Sequence, residues 1–114
     1  MYVRGHAADY DDWAKLGNEG WDFKSLLPYF TKHEHFDEPS IYASPFNIPL
    51  ETKYDADFHG KNGPIHTSFS TWRFPAEKEW IAASSKLGGK MGSPTDAWSG
   101  DHLGTYHSLS TIDR

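Results

Sequence analysis

Apolar positions along this chain come in short bursts broken by glycine and proline, and two periods can be read from them. Tyr10, Trp13 and Leu16 lie three apart. Their spacing predicts a short helix from Asp9 to Leu16, with Asp residues at its positive dipole end and Gly17 at the C′ position. A second helix is predicted from Phe23 to His33, capped by Asp22, with Leu26, Leu27, Phe30 and Tyr29 on its inner side. Pro28 lies inside it and lacks an N–H, so a kink or restart is expected there. Residues 36 to 63 show no period; Pro39, Pro45, Pro49 and the turn Gly60-Lys61-Asn62-Gly63-Pro64 read as a long loop.

The period then changes to two. Ile65, Thr67 and Phe69 alternate with His66, Ser68 and Ser70, the pattern of a half-buried strand. Pro75 is expected to open a third helix, with Glu77 and Glu79 in its first turn, Gly88 at its end, and Trp80, Ala83, Ser84 and Leu87 turned inward. Gly88-Gly89 and Gly92-Ser93-Pro94 read as a loop, and Thr105 to Ile112 as a last strand. The elements predict one α+β unit of short helices and a few strands over residues 1–114, without repeats or linkers.

Composition changes this picture in one respect. Only 37% of the 114 residues are hydrophobic, yet 16% are aromatic, with five Trp, six Tyr and seven Phe. The apolar surface therefore sits on a few large rings, which suit interfaces as well as cores. Such a balance fits both a compact aromatic-rich domain and a piece of something larger. The scatter of Trp13, Trp21, Trp72, Trp80 and Trp98 over helices and loops is that of packing anchors. Net charge is −5, from 11 basic and 16 acidic residues, with no basic stripe. Nucleic acid and anionic membrane surfaces are thereby disfavoured as partners. No cysteine is present, which excludes disulfides and thiolate chemistry and leaves the compartment undecided. No apolar run approaches the ~20 residues of a membrane span, and no signal-peptide core is visible, so the chain reads as soluble.

Several blocks carry a resemblance. Tyr2, Gly5 and Asp11 stand at the spacing of the tail of a flavoenzyme signature. They are followed by Asp9-Tyr10-Asp11-Asp12-Trp13, Gly17-Asn18-Glu19-Gly20-Trp21 and Leu27-Pro28-Tyr29-Phe30. Further on come His59-Gly60-Lys61-Asn62-Gly63-Pro64-Ile65, Asp96 to Gly104, and Ser110 to Arg114. Together and in this order they resemble the glucose–methanol–choline (GMC) oxidoreductases, FAD-dependent alcohol oxidases and dehydrogenases. The resemblance implies part of the substrate and lid region of such an enzyme. The family's glycine-rich dinucleotide fingerprint and its C-terminal catalytic histidine are not among these residues. The resemblance also implies that Tyr2, Val3 and Arg4 border the flavin if the rest of the FAD domain is present. On this reading FAD belongs to the complete enzyme and not to this chain alone, and the remainder of the enzyme is the expected partner, with a small-molecule substrate.

Of the seven histidines, His33-Glu34-His35 with Asp37 comes nearest to a metal cluster. An H-x-H on a helix end points its rings apart, so a solvated helix end is expected and no metal site is predicted. Asp101, His102 and His107 are the candidate catalytic residues, as an orienting carboxylate and bases. Two functions stay open. One is a segment or subunit of a GMC alcohol oxidoreductase, forming flavin lid and substrate-cavity wall. The other is a standalone truncated homologue without flavin, a binding module or a small isomerase or cyclase working through His and Asp, alone or as a homo-oligomer. Met1 points to a true start, whereas the end at Asp113-Arg114 points to a fragment. A piece of a larger enzyme is expected to expose large apolar side chains where the flavin domain docks.

Overall fold

A computed structural model describes residues 1–39, 52–74, 76–88, 92, 94 and 96–111. Three helices and a small sheet make up this α+β structure: α1 (Ala7–Lys15), α2 (Phe23–His33), β1 (Glu34–Asp37), β2 (Ile65–Phe69), α3 (Glu77–Leu87) and β3 (Leu109–Ser110). Single 3-10 turns occur at Ala56–Phe58 and Ala97–Ser99. None of the described helices is long and apolar enough to cross a membrane. The expected breaks at Pro45 and Pro49 lie outside the described residues, as do Pro75, Gly89, Ser93 and Ile112.

The helix ends follow local chemistry. α1 begins two residues earlier than its apolar spacing indicates, because the His6 ring accepts from the Ala8 N–H and so serves as the N-cap. Gly17 follows it with φ +99°, as expected of C′. α2 has the predicted bounds, and Asp22 caps it through the Ser25 N–H at 3.0 Å. Pro28 does not restart it; the helix is one span from Phe23 to His33.

The sheet order is β1-β2-β3. β1 and β2 run parallel, pairing His35 with His66 and Phe36 with Thr67. β2 and β3 run antiparallel, pairing Phe69 with Leu109. β1 corrects two expectations: Glu34 to Asp37 are a strand, not a solvated helix end and the start of a loop. Period-two patterning is hard to see there because the residue pointing inward at its start is a glutamate. The last strand is shorter than expected and confined to Leu109 and Ser110.

The core is small: Phe36, Phe69, Ala97, Trp98 and Leu109, with Tyr2, Tyr54 and Tyr106 packed against it. Tyr2 joins the N-terminus to it by donating its N–H to the Leu109 carbonyl at 2.8 Å. The predicted inner face of α3 is largely an outer face, whereas Leu26, Leu27 and Phe30 of α2 are half-buried. α1 buries no residue, and Leu16 and half of Trp13 are exposed. Tyr29 is exposed on α2, and on α3 only Ser84 is buried while Trp80 and Leu87 face out. Ile65 is also exposed, although Thr67 and Phe69 are buried as predicted. Periodicity identified these helices correctly but not what their apolar stripes cover.

Gly60 and Gly63 allow the loop before β2 to pass directly over the α2–β1 junction. A Cβ at Gly60 would lie 1.9 Å from the Thr31 carbonyl oxygen, and one at Gly63 would lie 2.1 Å from the His33 carbonyl carbon. That close approach permits the Phe36 N–H to reach the Gly60 carbonyl at 2.7 Å and the Gly63 N–H to reach the Glu34 carbonyl at 2.9 Å. Gly60→Ala is therefore expected to destabilise the fold by about 3 kcal/mol, since backbone and not a flexible side chain must move. Gly17→Ala, with open space but positive φ, is expected to cost only about 1 kcal/mol. Urea denaturation of the two variants checks this; equal losses would contradict the close-approach account.

Candidate functional site

Four charged groups from distant parts of the sequence meet beneath the sheet. Glu34 opens β1 and points inward because its strand alternates, with Glu34 and Phe36 buried and His35 and Asp37 turned out. Arg4 reaches it from the N-terminal segment, Nη2 to Oε2 at 2.6 Å. His59 ends the first 3-10 turn and lies with Nδ1 3.2 Å from the Glu34 carboxylate and Nε2 3.0 Å from Asp96 Oδ2. Asp96 caps the second 3-10 turn, accepting from the Trp98 N–H at 2.7 Å, and it also accepts from the Asp55 N–H at 2.7 Å. Arg4, Glu34, His59 and Asp96 are all buried.

The remaining polar atoms of this network are nearly all satisfied. Glu34 accepts from Thr67 Oγ1 and from the Gly60 N–H, both at 2.8 Å. Arg4 Nη1 donates to the carbonyls of Phe58 and Trp98. Arg4 Nε is left without a hydrogen-bond partner. Phe36 stacks on the His59 ring at 4.2 Å between centroids. Because each ring nitrogen of His59 faces a carboxylate, both must donate, and the ring is an imidazolium. Two cations then balance two anions.

The titration shifts follow from this geometry. Burial alone would lower the pKa of His59, but the hydrogen bonds and charges of Asp96 and Glu34 outweigh it and raise the pKa above the ordinary 6.5. Burial likewise opposes ionisation of Glu34; His59, the Gly60 N–H and Arg4 overcome it and hold the carboxyl below 4.5. Asp96 is held below 3.8 against burial by His59 and by the Asp55 and Trp98 N–H groups. With both N–H groups of His59 committed to buried carboxylates, the network has the character of a structural clamp.

The residues singled out in the sequence are placed as follows. Tyr2, Val3 and Arg4 alternate across the N-terminal segment. Tyr2 is half-buried with its hydroxyl 3.0 Å from His33 Nε2, Arg4 is buried in the network, and Val3 faces out. Asp101 and His102 do not form a pair. Asp101 accepts from the Leu103 N–H at 3.0 Å and lies 4.0 Å from His6 Nε2. His102 shares a 2.9 Å hydrogen bond with the Tyr106 hydroxyl, its Nε2 is buried without a partner, and burial lowers its pKa. His107 stands apart, 2.6 Å from Glu77 Oε1, with its pKa lowered chiefly by burial and the nearby Arg73.

Sequence reasoning missed Glu34, His59 and Asp96 as a unit. The available signal was an acidic residue at an inward strand position and a carboxylate capping an aromatic turn. A shallow cavity of about 170 Å³ opens over His59, lined also by His35, Phe36, Glu38, Ala56, Gly60 and Lys61. It is smaller than the pockets that enclose a drug-sized ligand.

The network makes stability depend on pH in a defined way. The His59 contribution is fully present below 6.5 and lost as pH rises through its raised pKa, whereas those of Glu34 and Asp96 are fully present above 4.5 and 3.8 and lost as pH falls through their lowered pKa values. Urea midpoints measured against pH are expected to plateau between these limits and decline on both sides, and His59→Gln is expected to remove the alkaline decline. Glu34→Ala, which leaves the buried Arg4 without a carboxylate partner, is expected to cost about 3–5 kcal/mol. A flat pH profile in the parent protein would contradict the assignment.

Comparison with known proteins accounts for the arrangement. The GMC oxidoreductase family profile matches residues 1–112. Dehydrogenase mpl7 of Monascus purpureus is 42% identical over 116 residues, covering 99% of this chain and 17% of that protein. An alcohol oxidase of Pichia angusta is 32% identical over 114 residues, covering 100% of this chain and 15% of that protein. Among solved structures, an FAD-dependent oxidoreductase from Chaetomium thermophilum superposes with a TM-score of 0.82 at 34% identity, over 98% of this chain and 18% of that one. The chain thus spans about a sixth of the length of the curated relatives it matches. On the extent of the profile match and the identity to these relatives, the chain belongs to the GMC oxidoreductase family.

Proposed function

We propose that this chain supplies the flavin lid and part of the substrate-cavity wall of an FAD-dependent alcohol oxidase or dehydrogenase. The observation that carries this reading is the inverted distribution of apolar side chains. Only Trp98 of the five tryptophans is buried; Trp13, Trp21, Trp72 and Trp80 are 47%, 52%, 59% and 69% exposed. Phe74, Tyr29, Leu87 and Leu103 face out as well. Each half-exposed ring leaves on the order of 100 Å² uncovered, so covering one is worth roughly 2.5 kcal/mol. The described residues form a slab of 50 × 36 × 19 Å, thin enough that both faces are open to a larger body.

The helix N-termini among the described residues offer little to a dinucleotide, which supports placing its main contacts elsewhere in the complete enzyme. A pyrophosphate needs free N–H groups at a helix N-terminus. The N-terminus of α2 is occupied by the Asp22 carboxylate, and that of α3 carries Glu77 and Glu79. The Arg4 guanidinium is committed to Glu34. FAD, when bound in the complete enzyme, supplies the hydride acceptor, and its main contacts come from outside these residues. What this chain offers the flavin edge is Val3, held outward because Tyr2 and Arg4 on either side are anchored inward. Tyr2 and Arg4 are then positioning residues, and Val3 together with the exposed rings excludes water from the cavity.

Native mass spectrometry of protein purified from its source tests the reading. These residues are expected within an assembly of larger mass that carries one FAD, either in the same polypeptide or beside a companion. A 13.0 kDa species, or a multiple of it without flavin, would overturn this and favour the flavin-free homologue.

A further inference from the structure

We propose that His35, Asp37 and His66 form a binding site for a divalent first-row transition-metal ion, with Zn²⁺ as the ion of best fit. The site lies on the outer face of the sheet, on the opposite side of β1 from Glu34, and does not depend on the flavin reading. Alternation along β1 turns His35 and Asp37 to the same side. The parallel register then sets His66 of β2 directly beside His35. The two imidazoles lie 4.3 Å apart between centroids at an interplanar angle of 22°. A single oxygen, Asp37 Oδ1, is 3.3 Å from His66 Nδ1 and 3.6 Å from His35 Nε2. One donor atom from each of the three residues falls within 4.8 Å of the others.

The two oxygen-to-nitrogen distances, 3.3 and 3.6 Å, are close to what one ion requires. At a Zn–N or Zn–O bond of about 2.0–2.1 Å, two ligands of a tetrahedral ion stand about 3.3 Å apart. Two nitrogens and one carboxylate oxygen suit zinc and its neighbours, not calcium or magnesium, which take oxygen. Coordination also needs the two imidazole lone pairs to converge, and the 22° tilt only begins this. His35 and His66 side chains are 39% and 58% exposed, so each ring is free to turn about χ2 and complete it. Three protein ligands leave a fourth position open to water, beside the cavity that His35 shares with Glu38 and Lys61. An ion there would clamp β1 to β2 at the pair that also carries Glu34 and Thr67 on its inner side.

The sequence did not reveal this site because its third ligand is not local. His33 and Glu34 are turned elsewhere, and the partner of His35 and Asp37 arrives 29 residues after Asp37, through sheet register alone.

Calorimetric titration of the chelator-treated full chain with ZnCl₂, together with NMR of the histidine side chains, tests the proposal. Expected are one Zn²⁺ per chain, shifts of the His35 and His66 ring resonances, and no response to Ca²⁺ or Mg²⁺. His66→Asn replaces an exposed side chain, so its far-UV circular dichroism is expected to be unchanged while Zn²⁺ binding is lost; His35→Asn is expected to do the same. Absence of one-to-one binding by the folded parent would overturn the proposal. So would retained binding in the folded variants, or shifts confined to His6, His33, His102 or His107.

Discussion

The structure depends on the buried contact of Arg4 and His59 with Glu34 and Asp96. Those four residues lie in segments separated by 30, 25 and 37 positions, and no other polar cluster among the described residues ties so many elements together. Among the described residues the core cluster has only five buried apolar side chains, so hydrophobic burial there leaves a large share of the work to polar contacts. Buried ion pairs are seldom more stabilising than an apolar replacement, but removing one partner is costly. Their effect here is on register. Glu34 fixes the start of β1 against Thr67 of β2, His59 carries the preceding turn onto it, and Asp96 pulls in the turn that bears Trp98.

The same arrangement explains why the N-terminal segment is held so that Val3 looks outward between the anchored Tyr2 and Arg4. Trp98 donates its indole N–H to the Tyr2 carbonyl at 3.2 Å, while the next inward residue, Arg4, is locked to Glu34. The lid role proposed above would call for this kind of rigidity, since such a segment would contribute shape and water exclusion. The exposed aromatic side chains belong to the same logic. Trp13 and Trp21 stack edge to face at 6.0 Å, forming a preassembled apolar surface and not two isolated rings. GMC family membership gives such a surface a reason to exist, because the relatives that share this fold are about six times longer.

Much of the secondary structure was legible in the residues, and the packing was not. Asp22 announced α2, Gly17 ended α1, and the alternation of Thr67 and Phe69 announced β2. Each of these signals is local. β1 was hidden because its inward residue is Glu34, and an inward carboxylate can be recognised only once Arg4 and His59 are seen against it. Helical stripes at Trp13 and Trp80 were visible, but a stripe does not say whether its cover lies within these residues or beyond them. The family resemblance succeeded where periodicity could not, since it rests on ordered blocks and not on burial. The adjacent side chains of Asp101 and His102 diverge, one toward His6 and the other to Tyr106, which their neighbouring positions in the sequence did not reveal.

The charge state of His59 tests this account most directly. Nitrogen-15 chemical shifts of its ring, followed by NMR as pH is raised, are predicted to show both ring nitrogens still protonated at pH 6 and a deprotonation midpoint above the ordinary histidine value of 6.5. A midpoint at or below 6.5, with one bare nitrogen facing Glu34 or Asp96 in the neutral range, would contradict it, because the network would then carry an unbalanced buried charge and could not be what holds the four segments together.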